Sequence, residues 1–127
     1  MKIAIVGSRG FKSIEKVIDL VNTLPHGSVI VSGGAPGVDV TAERAGRARG
    51  LAVNSIEAAW NDLSHPEALI KINKFGQQYD SRAGLRRNED IIKEADEVFA
   101  FWDGKSSGTR NSINHAKRLN KKITIIY

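Results

Sequence analysis

The sequence predicts an α/β fold: one domain, residues 1–127, built on a doubly wound parallel sheet of five strands in the order 3-2-1-4-5. Three observations predict it. Short apolar, β-branched runs alternate along the chain with segments whose apolar residues recur at helical spacing. Strand–helix alternation argues for parallel strands joined by right-handed crossovers, with helices on both faces. Three glycine-containing turns, Gly7–Phe11, Ser32–Asp39 and Asp103–Thr109, follow strands that this topology brings to one edge, where such sheets bind ligands.

Each element follows from local pattern. Lys2 to Val6 is a short apolar strand. Ser13 is placed to cap a helix in which Ile14, Val17, Ile18, Val21 and Leu24 share a face, and Pro25-His26-Gly27 stops it. Ser28 to Ser32 is the second strand. A helix from about Val38 to Arg49 follows, ended by Gly50, with Val38, Ala42, Ala45 and Ala48 inward and Glu43 and Arg47 one turn apart as a pair. Leu51 to Ile56 is the third strand. No period is legible from Glu57 to Ala83, which reads as a lid, a binding loop or an unrecognised helix; Pro66 to Ile72 has the composition of a short helix with proline in its first turn. Leu85 to Ala95 is helical, Glu97 to Trp102 is the fourth strand, Thr109 to Leu119 is a helix with Thr109 as cap, and Lys122 to Tyr127 is the fifth strand.

Composition narrows the classes of function. With 41% hydrophobic and 26% charged residues, the chain has the make-up of an ordinary soluble domain. It has no cysteine, so thiol catalysis, disulfides and thiolate metal sites are excluded. No apolar run approaches the ~20 residues that span a membrane. The first apolar run is short and soon meets Arg9 and Lys12, so a cytoplasmic location is expected. His26, His65 and His115 lack metal-type spacing, and no metal site is expected. The formal charge of +5 suits phosphate ligands or nucleic acid.

The turns carry the chemistry. Gly33, Gly34 and Gly37 let the backbone reverse sharply and let a ligand approach, and the helix that follows aims its free amides at the turn, as a phosphate cradle requires. Asp39, near that helix start, can cap its amides or accept from ribose hydroxyls. Ser8 and Arg9 end the first strand with hydrogen-bond donors, and guanidinium geometry suits phosphate. Arg86, Arg87 and Asn88 fall at a helix start, where cations oppose the dipole; they imply an anionic ligand or a partner carboxylate. Ser106, Ser107, Gly108 and Thr109 form a second cradle, with Lys105 adding charge. Trp60, Tyr79 and Trp102 are candidates for stacking on a base. Two better-known motifs fail: Gly104-Lys105-Ser106 ends like a P-loop, but Phe99 stands where its first glycine is needed. Ser32 replaces the first glycine of the dinucleotide fingerprint, although Glu57, further along, could serve as its ribose-binding acid.

Four segments recur together in one known group: Gly7-Ser8-Arg9, Ser32-Gly33-Gly34-Ala35-Pro36-Gly37-Val38-Asp39, Arg87-Asn88, and Phe101-Trp102-Asp103 continuing through Gly104, Lys105, Ser106, Ser107, Gly108 and Thr109. In these the chain resembles the SLOG superfamily, closest to its YspA/YpsA-related branch (the DUF2493-type domain). That superfamily also includes the Lonely Guy phosphoribohydrolases and the single-stranded-DNA-binding domain of DNA-processing protein A. The resemblance implies a Rossmann-like fold that binds nucleotides or nucleotide-derived ligands through these segments. The phosphoribohydrolases add an arginine, matched here by Arg87, and catalytic glutamates after the last glycine turn. Here Arg110, Asn111 and Ser112 follow Thr109, so that carboxylate is absent, and Asp39 or Asp103 would have to replace it. Three readings follow: binding of a nucleotide-type small molecule with no certain cofactor, hydrolysis of a nucleoside monophosphate's N-glycosidic bond, and binding of single-stranded nucleic acid. A homodimer, with the 57–83 segment covering a neighbour's pocket, is also compatible with the resemblance.

Overall fold

Alternate residues of the first strand divide the interior in two. In the computed structural model, which describes residues 1–127, β1 (Lys2–Gly7) is the central strand of a parallel sheet ordered β3-β2-β1-β6-β7. The other strands are β2 (Val29–Ser32), β3 (Ala52–Ser55), β6 (Glu97–Phe101) and β7 (Lys122–Ile126). In chain order along this sheet, that is the expected 3-2-1-4-5. Ile3 and Ile5 face α1 (Glu15–Thr23) and α2 (Val38–Ala48), packing with Phe11, Val17, Val21, Ile30, Ala42 and Phe101. Ala4 and Val6 face α3 (Ala83–Glu94) and α4 (Ser107–Arg118), packing with Val31, Ile91, Ile92, Val98 and Ile113. The period-two alternation of a doubly covered strand thus builds two cores from one apolar run.

Several local expectations are corrected. Ser13 does not cap α1 through its side chain; the cap position is Ile14, and the first turn closes through Ser13 and Ile14 carbonyls. In α2, Ala48 is exposed and Gly46 and Glu43 are buried, because Glu43 finds hydroxyl partners below the helix. The α3 and α4 helices each start two residues earlier than the apolar period suggested, at Ala83 and Ser107. Thr109 therefore sits inside the first turn of α4, and Ser106 holds the cap position.

The largest correction lies in the 57–83 segment. Pro66 to Ile72 is no helix; the segment carries an antiparallel hairpin of β4 (Ile70–Ile72) and β5 (Gln78–Asp80). Its turn is built locally: Asn73 Oδ1 accepts the amides of Phe75 at 2.9 Å and Gln77 at 3.0 Å, and Gly76 adopts φ +78°. An isolated two-stranded hairpin is marginal in water, and Asp80 is what anchors this one. Its buried carboxylate accepts the amides of Leu69 at 3.2 Å and Arg82 at 3.0 Å and pairs with the Arg86 guanidinium. The hydrogen bond from Arg86 holds the Asp80 carboxyl below its ordinary value. Trp60 adds an edge-on contact to Tyr79, at 6.4 Å between ring centroids, and its carbonyl accepts the Asp80 amide at 2.8 Å. Asp80→Ala is therefore expected to release the hairpin from α3. Limited proteolysis should cut between residues 60 and 82 much faster than in the unaltered chain, while far-ultraviolet circular dichroism of the sheet and helices persists. Unchanged cleavage would show that the hairpin is held by other contacts.

Candidate functional site

The chain reversals after β1, β2 and β6 meet at the carboxyl edge of the sheet, where β1 and β6 lie side by side and their helices leave to opposite faces. This is the switch point at which parallel α/β sheets open a crevice. A cavity of about 440 Å³ occupies it, within the size range of small-molecule sites. It is lined by Gly7, Ser8 and Arg9 from the first reversal and by Ala35 and Asp39 from the second. Trp60 comes from the hairpin segment, Arg87 and Asn88 from α3, and Asp103, Ser106, Gly108 and Thr109 from the last reversal. Ser81, Gly84, Leu85, Ile91 and Ser112 also line it and are not singled out by sequence. Helical spacing could have found Ser112, one turn beyond Gly108; Ser81 and Gly84 had no readable period around them.

The backbone geometry explains the glycines. A Cβ at Gly7 would lie 2.6 Å from a methyl of Val38, so Gly7 lets α2 seat against the end of β1. Val38 is itself fully buried; it supports the cavity rather than lining it. Gly37 has φ +90°, and a Cβ there would meet the Arg9 carbonyl oxygen at 2.8 Å. Ser32 is buried and turned away: its hydroxyl donates to the Glu43 carboxylate, which also accepts from Ser55 at 3.3 Å and lies 3.5 Å from Arg47. The Glu43–Arg47 pair expected from spacing thus forms, but the buried end of it ties α2 to β2 and β3.

Not every amide of the two glycine turns is open. Asp39 Oδ2 accepts the amides of Gly33 at 3.2 Å and Ala35 at 3.3 Å, so the first cradle already holds a carboxylate of its own. Burial pushes the Asp39 carboxyl up from 3.8 to about 6, against the opposing pull of the Ala35 and Gly33 amides and the Arg87 charge. In the last turn, Asp103 Oδ1 accepts the amides of Ser106 at 2.7 Å and Lys105 at 2.9 Å, and those bonds hold its carboxyl below the ordinary value. Of the two alternatives for Asp39, amide capping is realised, but on the preceding turn and not on its own helix. Both carboxylates offered as substitutes for the missing glutamate are engaged with backbone.

Open donors remain. No side chain caps α4, whose first turn begins at Ser107, and Gly108 and Thr109 of that turn line the cavity. The Ser8 and Thr109 hydroxyls lie 3.3 Å apart on the cavity wall, and Ser8 Oγ also accepts the Asp103 amide at 3.3 Å. Arg9 enters none of the chain's ion pairs. Arg87 donates to the Gly33 carbonyl at 2.8 Å and to Asn88 Oδ1 at 3.1 Å, which sets its guanidinium across the mouth of the second turn. Arg86, by contrast, takes the partner carboxylate and leaves the site. Because α3 starts at Ala83, both arginines sit in its second turn, so the penalty argued for cations at a helix start is weakened. Lys105 and Ser107 do not line the cavity, nor does Gly34, which faces a smaller cavity beside it.

Of the aromatic candidates, only Trp60 reaches the cavity. Trp102 donates its Nε1 proton to the Ser106 carbonyl at 3.0 Å and lies under Arg110, bracing the last turn from outside. No three histidine, aspartate or glutamate side chains gather as a metal site would need. No helix is long and apolar enough to cross a membrane.

No family model matches the chain, and no curated protein does. Solved structures do match. DNA processing protein A from Helicobacter pylori, described for its single-stranded DNA binding mode, superposes with a TM-score of 0.72 at 24% identity over 98% of this chain. DNA processing protein A from Streptococcus pneumoniae superposes with a TM-score of 0.50 at 26% identity over 97% of this chain. The chain spans 64% and 58% of the length of those two chains. The Rossmann-like α/β fold is therefore shared with these proteins.

Proposed function

We propose that the protein binds a phosphate-bearing nucleotide at the carboxyl edge of its sheet, with the phosphate on the first turn of α4 and against Arg9. One observation carries this reading: a single cavity collects the uncapped start of α4, the Ser8 and Thr109 hydroxyls and two guanidiniums, Arg9 and Arg87, both outside every ion pair. Free helix amides and an unpaired guanidinium together favour an anion far more than either does alone. The phosphate is assigned to α4 and not to α2, because the first turn of α4 puts Gly108 and Thr109 on the cavity wall, whereas α2 contributes only the acidic side chain of Asp39 to it. The four sequence segments also support the finer assignment to the YspA/YpsA-related branch.

Titration calorimetry with the four ribonucleoside monophosphates tests this. Arg9→Ala is expected to weaken binding at least about tenfold, the scale of one charge-assisted hydrogen bond, without lowering thermal stability. Absence of heat with every nucleotide, or an unchanged affinity in the variant, would defeat it. Incubation of the same nucleotides with the protein, followed by chromatography for free base, reads whether bound nucleotide is hydrolysed. Asp39 is the carboxyl in the cavity whose shifted proton affinity suits that work.

A second reading is binding of single-stranded nucleic acid. The likeness to DNA processing protein A favours it, as does the hairpin, where Phe75 is 77% exposed under the Lys74 ammonium at 5.2 Å. It predicts that affinity for a labelled oligonucleotide falls steeply from low to physiological salt and drops on Phe75→Ala. A flat salt response would remove it.

A further inference from the structure

Beside the larger cavity lies a second, of about 210 Å³, lined by Gly33, Gly34, Pro36, Glu57 and Ala58. The two share Arg9, Ala35, Trp60 and Arg87, so they form two compartments of one cleft with the guanidiniums between them. The small compartment differs in chemistry from the large one. Its floor is a glycine turn whose Gly33 and Ala35 amides are already held by Asp39, so the backbone of that floor offers little to a phosphate. Its one acidic side chain, Glu57, is in none of the chain's ion pairs, although two arginines line the same space. Gly34, at φ +69°, keeps that floor open: a Cβ there would lie 3.0 Å from the Ser55 hydroxyl and 4.0 Å from Glu57 Cγ.

A carboxylate is an acceptor with two oxygens at fixed spacing, and it repels phosphate. The group on a nucleotide that it suits is a pair of neighbouring hydroxyls. We infer that Glu57 accepts the 2′- and 3′-hydroxyls of a ribose whose phosphate lies in the larger compartment, so that the site selects ribonucleotides over deoxyribonucleotides. The indole of Trp60, which walls both compartments, then borders the base. This assignment rests on the nucleotide reading above and adds the sugar to it.

Calorimetry of the full chain with AMP, GMP, CMP and UMP, each beside its 2′-deoxy counterpart, tests the assignment. The ribo forms are expected to bind at least about tenfold tighter, as loss of a hydrogen bond to a charged acceptor implies. Glu57 is exposed and makes no hydrogen bond in the fold, so Glu57→Ala should keep the melting temperature. In that variant the ribo preference is expected to fall below about twofold; the ribo series loses both hydroxyl bonds and the deoxy series only the 3′-hydroxyl bond, so deoxy affinities fall less than ribo affinities. Equal binding of the two series by the unaltered protein overturns the assignment and leaves the nucleotide reading standing. So does a preference that follows the base and ignores the sugar, which would place a base edge on Glu57, or one that survives Glu57→Ala. Binding of neither series overturns both.

Discussion

The stability of this protein is expected to fall by about 3 kcal/mol as pH rises from about 3 to about 7, through Asp39 alone, and Asp39→Asn is expected to abolish that fall. The sign follows from burial. The native carboxyl is raised from 3.8 to about 6 because desolvation outweighs the amides of Ala35 and Gly33 and the charge of Arg87. Between those two values the native state holds a proton that the unfolded state has released, so raising the pH favours unfolding. Below the lower value both states are protonated and the full stability is present; above the upper one it is gone. The groups around Asp39 are the Arg87 guanidinium from α3 and the Glu43 carboxylate on its own helix, which oppose each other. Asp80 and Asp103 act in the opposite sense, since their native carboxyls are lowered: their stabilisation is lost only as pH falls below the ordinary carboxylate range. The difference between urea unfolding curves of the unaltered chain and Asp39→Asn, taken across this window, isolates the one residue. A flat difference would mean that Asp39 is solvated and that its grip on the Gly33 and Ala35 amides is not maintained.

Gly37→Ala is expected to cost about 3 kcal/mol or more, and to disturb the site as well as the fold. Two penalties coincide there. The backbone sits at φ 90°, ψ −118°, a region that side chains other than hydrogen avoid at a cost of about 1–3 kcal/mol. The added Cβ would also lie 2.8 Å from the Arg9 carbonyl oxygen, which is backbone and has no rotamer to yield with. Gly50 separates the two effects. Its φ is +75°, but nothing lies within 4 Å of a built Cβ, so Gly50→Ala should lose only the conformational part, about 1 kcal/mol. Because the Gly37 contact is with the loop that presents Arg9, the alanine variant should also weaken nucleotide binding, whereas Gly50→Ala should not. Equal destabilisation by the two substitutions would show that the loop after β1 moves freely away from α2.

The sheet and its order are legible in the chain because parallel strands buried on both faces read as apolar runs, and right-handed crossovers leave few ways to arrange them. The glycine turns follow strands, so their gathering at one edge is a consequence of topology that residue spacing already contains. What spacing does not contain is which acceptor finds which donor. Asp103 reads as a group free to meet a ligand and Asp39 as either an amide cap or a ribose acceptor; each closes on backbone amides of its own turn, a contact that depends on the path of the reversal and not on residue type. Ser32 reads as part of a cradle but points down to Glu43, because the strand's pleat sends it to the side of the sheet that α2 covers. Arg86 and Arg87 are neighbours with the same chemistry. The helix turns one toward the hairpin's Asp80 and the other toward the Gly33 carbonyl.

The hairpin was hidden for a different reason. Three-residue strands are too short to establish a period, and all three residues of Ile70–Ile72 are exposed, so no apolar face marks it. They are held by Asp80, a residue whose partners lie on both sides of it in the chain, Leu69 before it and Arg82 and Arg86 after it. The sequence by itself determined an α/β sheet of known order with its turns at one end, since periodicity and chirality act locally. Tertiary packing decided which of those turns remain open to a ligand, because hydrogen bonds of buried carboxylates are settled only when distant segments exclude water around them.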